Sequence, residues 1–160
     1  MPSATVRHAY ELGLLDQPIL TVCLKKTRNE EDSYGGMITS GGLDFENCED
    51  SVTYEPVPRR YSWQFKLSGV SAGSHSANVD WYAESDTGTF LIWGPAAVIS
   101  AIAKELGSQY DESNELYFIE CSAQAAVNFT IGAKQYTVGA NNLSLKCRKI
   151  SDKIGFAKAL

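Results

Sequence analysis

Trp81-Tyr82-Ala83-Glu84-Ser85-Asp86-Thr87-Gly88-Thr89 runs directly into Phe90-Leu91-Ile92-Trp93-Gly94-Pro95. A β-prone segment enters Asp-Thr-Gly-Thr, and a short apolar run then leads to a Gly-Pro placed to start a helix. Such a turn suits the presentation of a carboxylate. Gly88 lets the backbone come close to Asp86, and the hydroxyls of Thr87 and Thr89 can donate hydrogen bonds. A carboxylate held by donors stays ionised, as one that activates a water must be. An Asp-Thr-Gly also makes an ordinary polar turn, so the surrounding chain decides between the two readings.

Upstream, Tyr61-Ser62-Trp63-Gln64-Phe65-Lys66-Leu67 alternates as a strand does, with Tyr61, Trp63, Phe65 and Leu67 on one face. Residues 52–57 read as another strand and residues 70–76 as a loop or hairpin, with His75 at the surface. Downstream, Pro95 opens a helix whose stripe of Val98, Ile99, Ile102, Ala103 and Leu106 is core-facing, stopped by Gly107. Residues 116–121 and 127–131 are further strands, the latter joined through Gly132 to 135–138. Nearer the start, residues 6–15 suggest a short helix ended by Gly13, and 19–24 and 35–42 a strand and its return. Cys23 falls mid-strand, where a buried free thiol is expected rather than a bridge. The mixed-charge run 25–32 reads as a solvated hairpin loop. Asn128 and Asn142 open glycosylation sequons, the first in a strand and so expected unused. With no internal repeat or linker, residues 1–160 are expected to form a single, mostly β domain.

At 160 residues the chain is long enough to bury a core, and 44% apolar with 21% charged residues is an ordinary globular profile. The net charge of −5 argues against nucleic acid as a partner. There is no apolar run long enough for a membrane helix, and the amino terminus has no signal-type hydrophobic segment. The four cysteines, Cys23, Cys48, Cys121 and Cys147, are compatible with two disulfides in an oxidising compartment. They are not spaced as zinc ligands. No metal or cofactor is expected.

Six stretches in a fixed order supply the deciding context. They are Gly13-Leu14-Leu15-Asp16-Gln17-Pro18-Ile19, Gly41-Gly42-Leu43-Asp44, Tyr61-Ser62-Trp63-Gln64-Phe65, Ser85-Asp86-Thr87-Gly88-Thr89 with Gly94-Pro95, Tyr117-Phe118-Ile119-Glu120-Cys121, and Ile154-Gly155-Phe156-Ala157. Over residues 13–142 they resemble the carboxyl-terminal lobe of pepsin-like aspartic proteases (peptidase family A1), most closely nematode members. The resemblance implies a mostly β acid protease lobe, β-barrel-like sheets with short helices, in truncated form. It implies Asp86 as the catalytic carboxylate, Thr87, Gly88 and Thr89 as the supporting loop, and Phe90 as a substrate contact. It also implies polypeptide substrates, an amino-terminal lobe as partner, no membrane, and a secreted or lysosomal setting. The missing signal segment conflicts with that setting, and a fragment or truncated gene product would reconcile the two.

The sequence departs from the family at several points. Phe90 stands where Ser or Thr is usual, Trp93 where Gly is frequent, and Glu84 where an aliphatic residue feeds the motif. Near 147–150 a strand that supports the catalytic loop is expected to be deleted. Under the resemblance Cys121 is expected to pair with Cys147 if the protein is secreted, closing a loop of about 26 residues worth roughly 3 kcal/mol. Cys48 is the alternative partner for Cys147. The expected function is aspartic endopeptidase chemistry with an inactive isolated chain. The alternatives are a non-catalytic peptide- or partner-binding homologue and an active homodimer.

Overall fold

β-branched and apolar residues at alternate positions draw Leu20–Leu24 (β1) and Gly36–Ser40 (β2) into an antiparallel hairpin, in register from Leu20↔Ser40 to Leu24↔Gly36. This computed structural model describes residues 5–25, 33–49, 51–58, 63–89, 91–120, 122–143 and 156–159, with the backbone alone at 141 and 156–159. The chain divides into two compact units, Met1–Tyr54 and Glu55–Leu160.

In the first unit, Thr5–Glu11 forms helix α1, supported by an exposed Arg7–Glu11 ion pair one turn apart. It ends where expected, at Gly13, whose φ of +71° is open to glycine at little cost. The hairpin matches the two strands read from the sequence, slightly shortened, and residues 26–32 of its connection lie outside the described residues. Gly36, at φ +138°, sits so close to Cys23 that a side chain there would strike the Cys23 carbonyl. After β2 the chain turns through residues 44–48 around buried Asp44. Residues 52–57 do not form the expected strand. Pro56 and Pro58 remove ladder donors there, which overrides the β propensity of Val52, Thr53 and Tyr54.

The second unit carries the core. Its elements are Gln64–Ala72 (β3), His75–Glu84 (β4), Trp93–Pro95 (β5), Ala96–Glu105 (α2), Gln109–Asp111 (β6), Leu116–Phe118 (β7), Ala126–Ile131 (β8), Lys134–Gly139 (β9), Ala140–Leu143 (α3) and Phe156–Ala159 (β10). One sheet has the order β4-β3-β8-β9 and is antiparallel throughout. The other has the order β5-β10-β7-β6, with β10 parallel to β5. Of the loop or hairpin expected at residues 70–76 the structure has the hairpin: β3 continues to Ala72, and Gly73-Ser74 alone makes the turn, with Gly73 at φ +53°. Small residues at 71–74 mimic a loop, but Val70 and Ala72 are buried and hold the strand to its end. His75 is half-buried rather than superficial, and its Nε2 has no partner among the described residues.

A bulge between Leu67 and Gly69 shifts the β3 register against both neighbours. A β-carbon at Gly69 would lie 3.0 Å from Thr130 Oγ1, so close strand approach requires glycine there. Helix α2 buries Ile99, Ile102 and Ala103, and the first two join Leu67, Val70, Ala72, Ile119, Val127 and Leu143 in one cluster. The chain leaves α2 through Gly107 at φ +68°, with Ser108 N–H donating to the Ala103 carbonyl at 2.8 Å.

Candidate active site

Strand β4 delivers the carboxylate. Its pairing with β3 runs out at Gln64↔Glu84, and one further bond, Ser85 N–H to the Trp63 carbonyl at 3.3 Å, ties down the exit of the strand. Asp86 follows at once and is solvent-exposed. Its Oδ1 accepts the Gly88 N–H at 2.8 Å, an Asx-type turn in which the side chain stands in for a backbone carbonyl. A β-carbon at position 88 would lie 3.1 Å from the same oxygen, so glycine keeps the carboxylate undisturbed. Thr89 is half-buried, and its hydroxyl accepts the Leu91 N–H at 3.2 Å. The two bonds fix consecutive halves of the loop. Thr87 is exposed at its tip.

Past the loop the chain enters β5 and then α2. Gly94 passes the Ile99 side chain so closely that a β-carbon would meet it at 3.2 Å. The Asp86 loop is thus held between β4 on one side and a helix anchored in the core on the other. A cleft of about 510 Å³ opens beside it, lined in part by Asp86, Thr89, Tyr82, Trp93, Phe129 and Tyr136. Tyr82 and Trp93 are 59% and 58% exposed, and Trp63, beside Ser85, is 65% exposed. The loop therefore presents one carboxylate on a face rich in uncovered aromatic surface, of the sort that marks a partner or ligand site.

Of the residues singled out from sequence, Asp86, Thr87, Gly88 and Thr89 come together in this turn. Phe90, Cys121 and Cys147 lie outside the described residues. Cys48 is half-buried and unbridged. Trp63 is a contributor that alternation misplaces: it sits just before β3, faces solvent, and anchors Ser85 through its carbonyl. Among the described residues no group of three or more His, Cys, Asp or Glu is arranged to hold a metal ion. No helix among them is long and apolar enough to cross a membrane.

Comparison with known proteins gives this geometry a context. A family model described as eukaryotic aspartyl protease matches residues 3–157. The chain is 46% identical over 138 residues to aspartic protease 2 of Necator americanus, covering 86% of this chain and 32% of that protein. It is 38% identical over 132 residues to aspartic protease 6 of Caenorhabditis elegans, covering 82% and 34% of the two. Cathepsin D of Clupea harengus is 32% identical over 124 residues, covering 74% of this chain and 31% of its own length. The chain thus spans about a third of the relatives it matches.

Proposed function

This chain belongs to the eukaryotic aspartyl protease family, and from that membership we propose that residues 1–160 serve as the carboxyl-terminal lobe of an aspartic endopeptidase. Its mostly β architecture fits one lobe of the pepsin-like fold. The observation that carries the reading is Asp86 itself, exposed at the end of β4 with Oδ1 fixed by the Gly88 N–H.

The chemistry requires two carboxylates about 3 Å apart sharing one proton, one acting as base toward water while the other polarises the scissile carbonyl. This sequence has a single Asp-Thr-Gly and no Asp-Ser-Gly. The second carboxylate is therefore assigned to an amino-terminal lobe outside these 160 residues. The substrate class is polypeptide, gripped between the lobes. The exposed aromatics Trp63, Tyr82 and Trp93 support this assignment, since a lobe that works opposite another has apolar surface to cover. The setting that goes with this reading is secreted or lysosomal, with Cys121 bridged to Cys147.

The test is co-refolding of the chain with the amino-terminal lobe of a relative, followed by digestion of a denatured protein at acid pH with and without pepstatin. Pepstatin-sensitive cleavage that disappears in Asp86→Asn is the expected result. Cleavage that survives the substitution removes Asp86 from the mechanism. A pair of lobes that assembles and yet never cleaves leaves a non-catalytic binding protein as the better description.

A further inference from the structure

The first unit holds a pair of sulfurs that the protease chemistry does not use. Cys23 lies in the middle of β1, opposite Met37 of β2. Cys48 closes the turn after β2, its N–H donating to the Asp44 carbonyl at 3.1 Å. The turn is rigidly built. Buried Asp44 accepts the Asn47 N–H at 3.1 Å, the Asn47 Nδ2 at 2.9 and 3.0 Å, and the Thr39 hydroxyl at 3.2 Å. That network bends residues 44–48 back over the hairpin. The Cys23 thiol then donates to the Asn47 carbonyl at 3.4 Å, the group bonded directly to the Cys48 nitrogen. The Cys48 thiol in turn is near enough to Cys23 for the two sulfurs to act on each other electrostatically.

We propose that Cys23 and Cys48 are a disulfide site, closing a covalent loop that fastens β1 to the Asp44 turn in an oxidising compartment. Several independent features agree. Both residues are half-buried, so an oxidant can reach them and the product is still sheltered. Burial pushes the Cys48 thiol up from its ordinary value, and the Cys23 sulfur beside it pushes the same way. The first unit also has little else to hold it. Asp44 is its only buried residue among those described, while Leu24 and Ile38 are 71% and 66% exposed. Small units with so little core rely on covalent staples.

The step balances as thiol–disulfide exchange with an oxidised low-molecular-weight disulfide such as glutathione disulfide. One cysteine, as thiolate, attacks the oxidant's S–S bond, forms a mixed disulfide and expels one glutathione thiolate. The second cysteine displaces the other glutathione and forms the Cys23–Cys48 bond. Two thiols lose two electrons and two protons, which appear in two glutathione thiols. This assignment consumes Cys48 and so leaves Cys147 to Cys121 rather than to Cys48.

The test uses the whole chain, equilibrated in glutathione buffers of increasing oxidised fraction, blocked with an alkylating agent while folded, and mapped by mass spectrometry without reduction. The expected result is a linked pair of peptides containing Cys23 and Cys48, lost on adding dithiothreitol. Thermal melting supplies a second readout. The wild-type chain should melt higher oxidised than reduced, and Cys23→Ser and Cys48→Ser should each shrink that difference by the same amount. Recovery of both residues alkylated from the oxidised protein overturns the proposal. So does either one linked to Cys121 or Cys147.

Discussion

Gly88 and Asp86 share one oxygen. Oδ1 accepts the Gly88 N–H at 2.8 Å, and any side chain at 88 would bring its β-carbon to 3.1 Å from that atom. Gly88→Ala therefore leaves the lobe folded but displaces the carboxylate, at the cost of a hydrogen bond worth about 1 kcal/mol. In lobes refolded together, pepstatin affinity should fall about fivefold while the melting temperature of the lobe drops by no more than a few degrees. A larger drop in melting temperature with pepstatin affinity unchanged would mean that Gly88 supports the fold rather than Asp86. The turn was legible at this scale because its bonds span two residues and depend only on local chemistry. Trp63 was not legible: alternation puts it with Phe65 and Leu67 on the inner face, yet pairing of β3 begins only at Gln64. Which side of the sheet end is uncovered depends on tertiary structure, and the period of a strand carries no information about where the sheet stops.

Helix α2 ties the loop to the core, and two of its residues make separable predictions. Ile102 is buried against the central cluster, so Ile102→Ala should lower unfolding free energy by about 2–5 kcal/mol in urea melts. A loss under about 1 kcal/mol would show that the cluster is not the folding core. Glu105, at the other end, accepts Ser74 N–H and Oγ–H at 2.8 and 2.9 Å and so latches the β3–β4 turn. These bonds from Ser74, backbone first, hold the Glu105 carboxyl below its ordinary value, with His75 adding a smaller pull. A carboxyl depressed in the folded state stabilises above its unfolded value and loses that contribution as pH falls through its folded one. Melting temperature should therefore drop as the medium is taken below the ordinary carboxylate range, and Glu105→Gln should flatten that part of the profile. A variant with the same acid slope as wild type would assign the slope elsewhere, Asp44 being the other depressed carboxyl. At this scale the helix was legible from its period, and β8 and β9 from Gly132 between them. Strands β6 and β10 were not. Gln109–Asp111 is short and polar, and Phe156–Ala159 finds its parallel partner at Trp93–Pro95, far earlier in the chain. Pairing that distant leaves no local signature.

At the scale of the whole molecule, the proposed function makes the site half of a device whose chemistry needs a second carboxylate. The sequence made that legible as well, because the count of Asp-Thr-Gly motifs needs no structure. What it left hidden was the apolar surface around Asp86, which follows from where the sheet and the cleft end. The purified chain alone is accordingly expected to show no endopeptidase activity from about pH 3 to about pH 7. A proton shared between two carboxylates keeps one ionised and the other protonated across a wide acid range, and a single Asp86 cannot hold both states at once. Self-association is the one route around this limit. It would need a two-fold axis beside Asp86, and every residue near the axis would then meet its own copy. Exposed Glu84, two residues from Asp86 and bonded only loosely to Gln64 Nε2 at 3.5 Å, would face a second glutamate. Like charges brought together there oppose association until the pH is low enough to protonate them. Digestion of a denatured protein, with and without pepstatin, decides the matter when paired with sedimentation at the assay concentration. Pepstatin-sensitive cleavage by a sedimenting dimer would replace the two-lobe reading with a homodimeric one, and Glu84→Gln should then raise that activity by favouring the dimer.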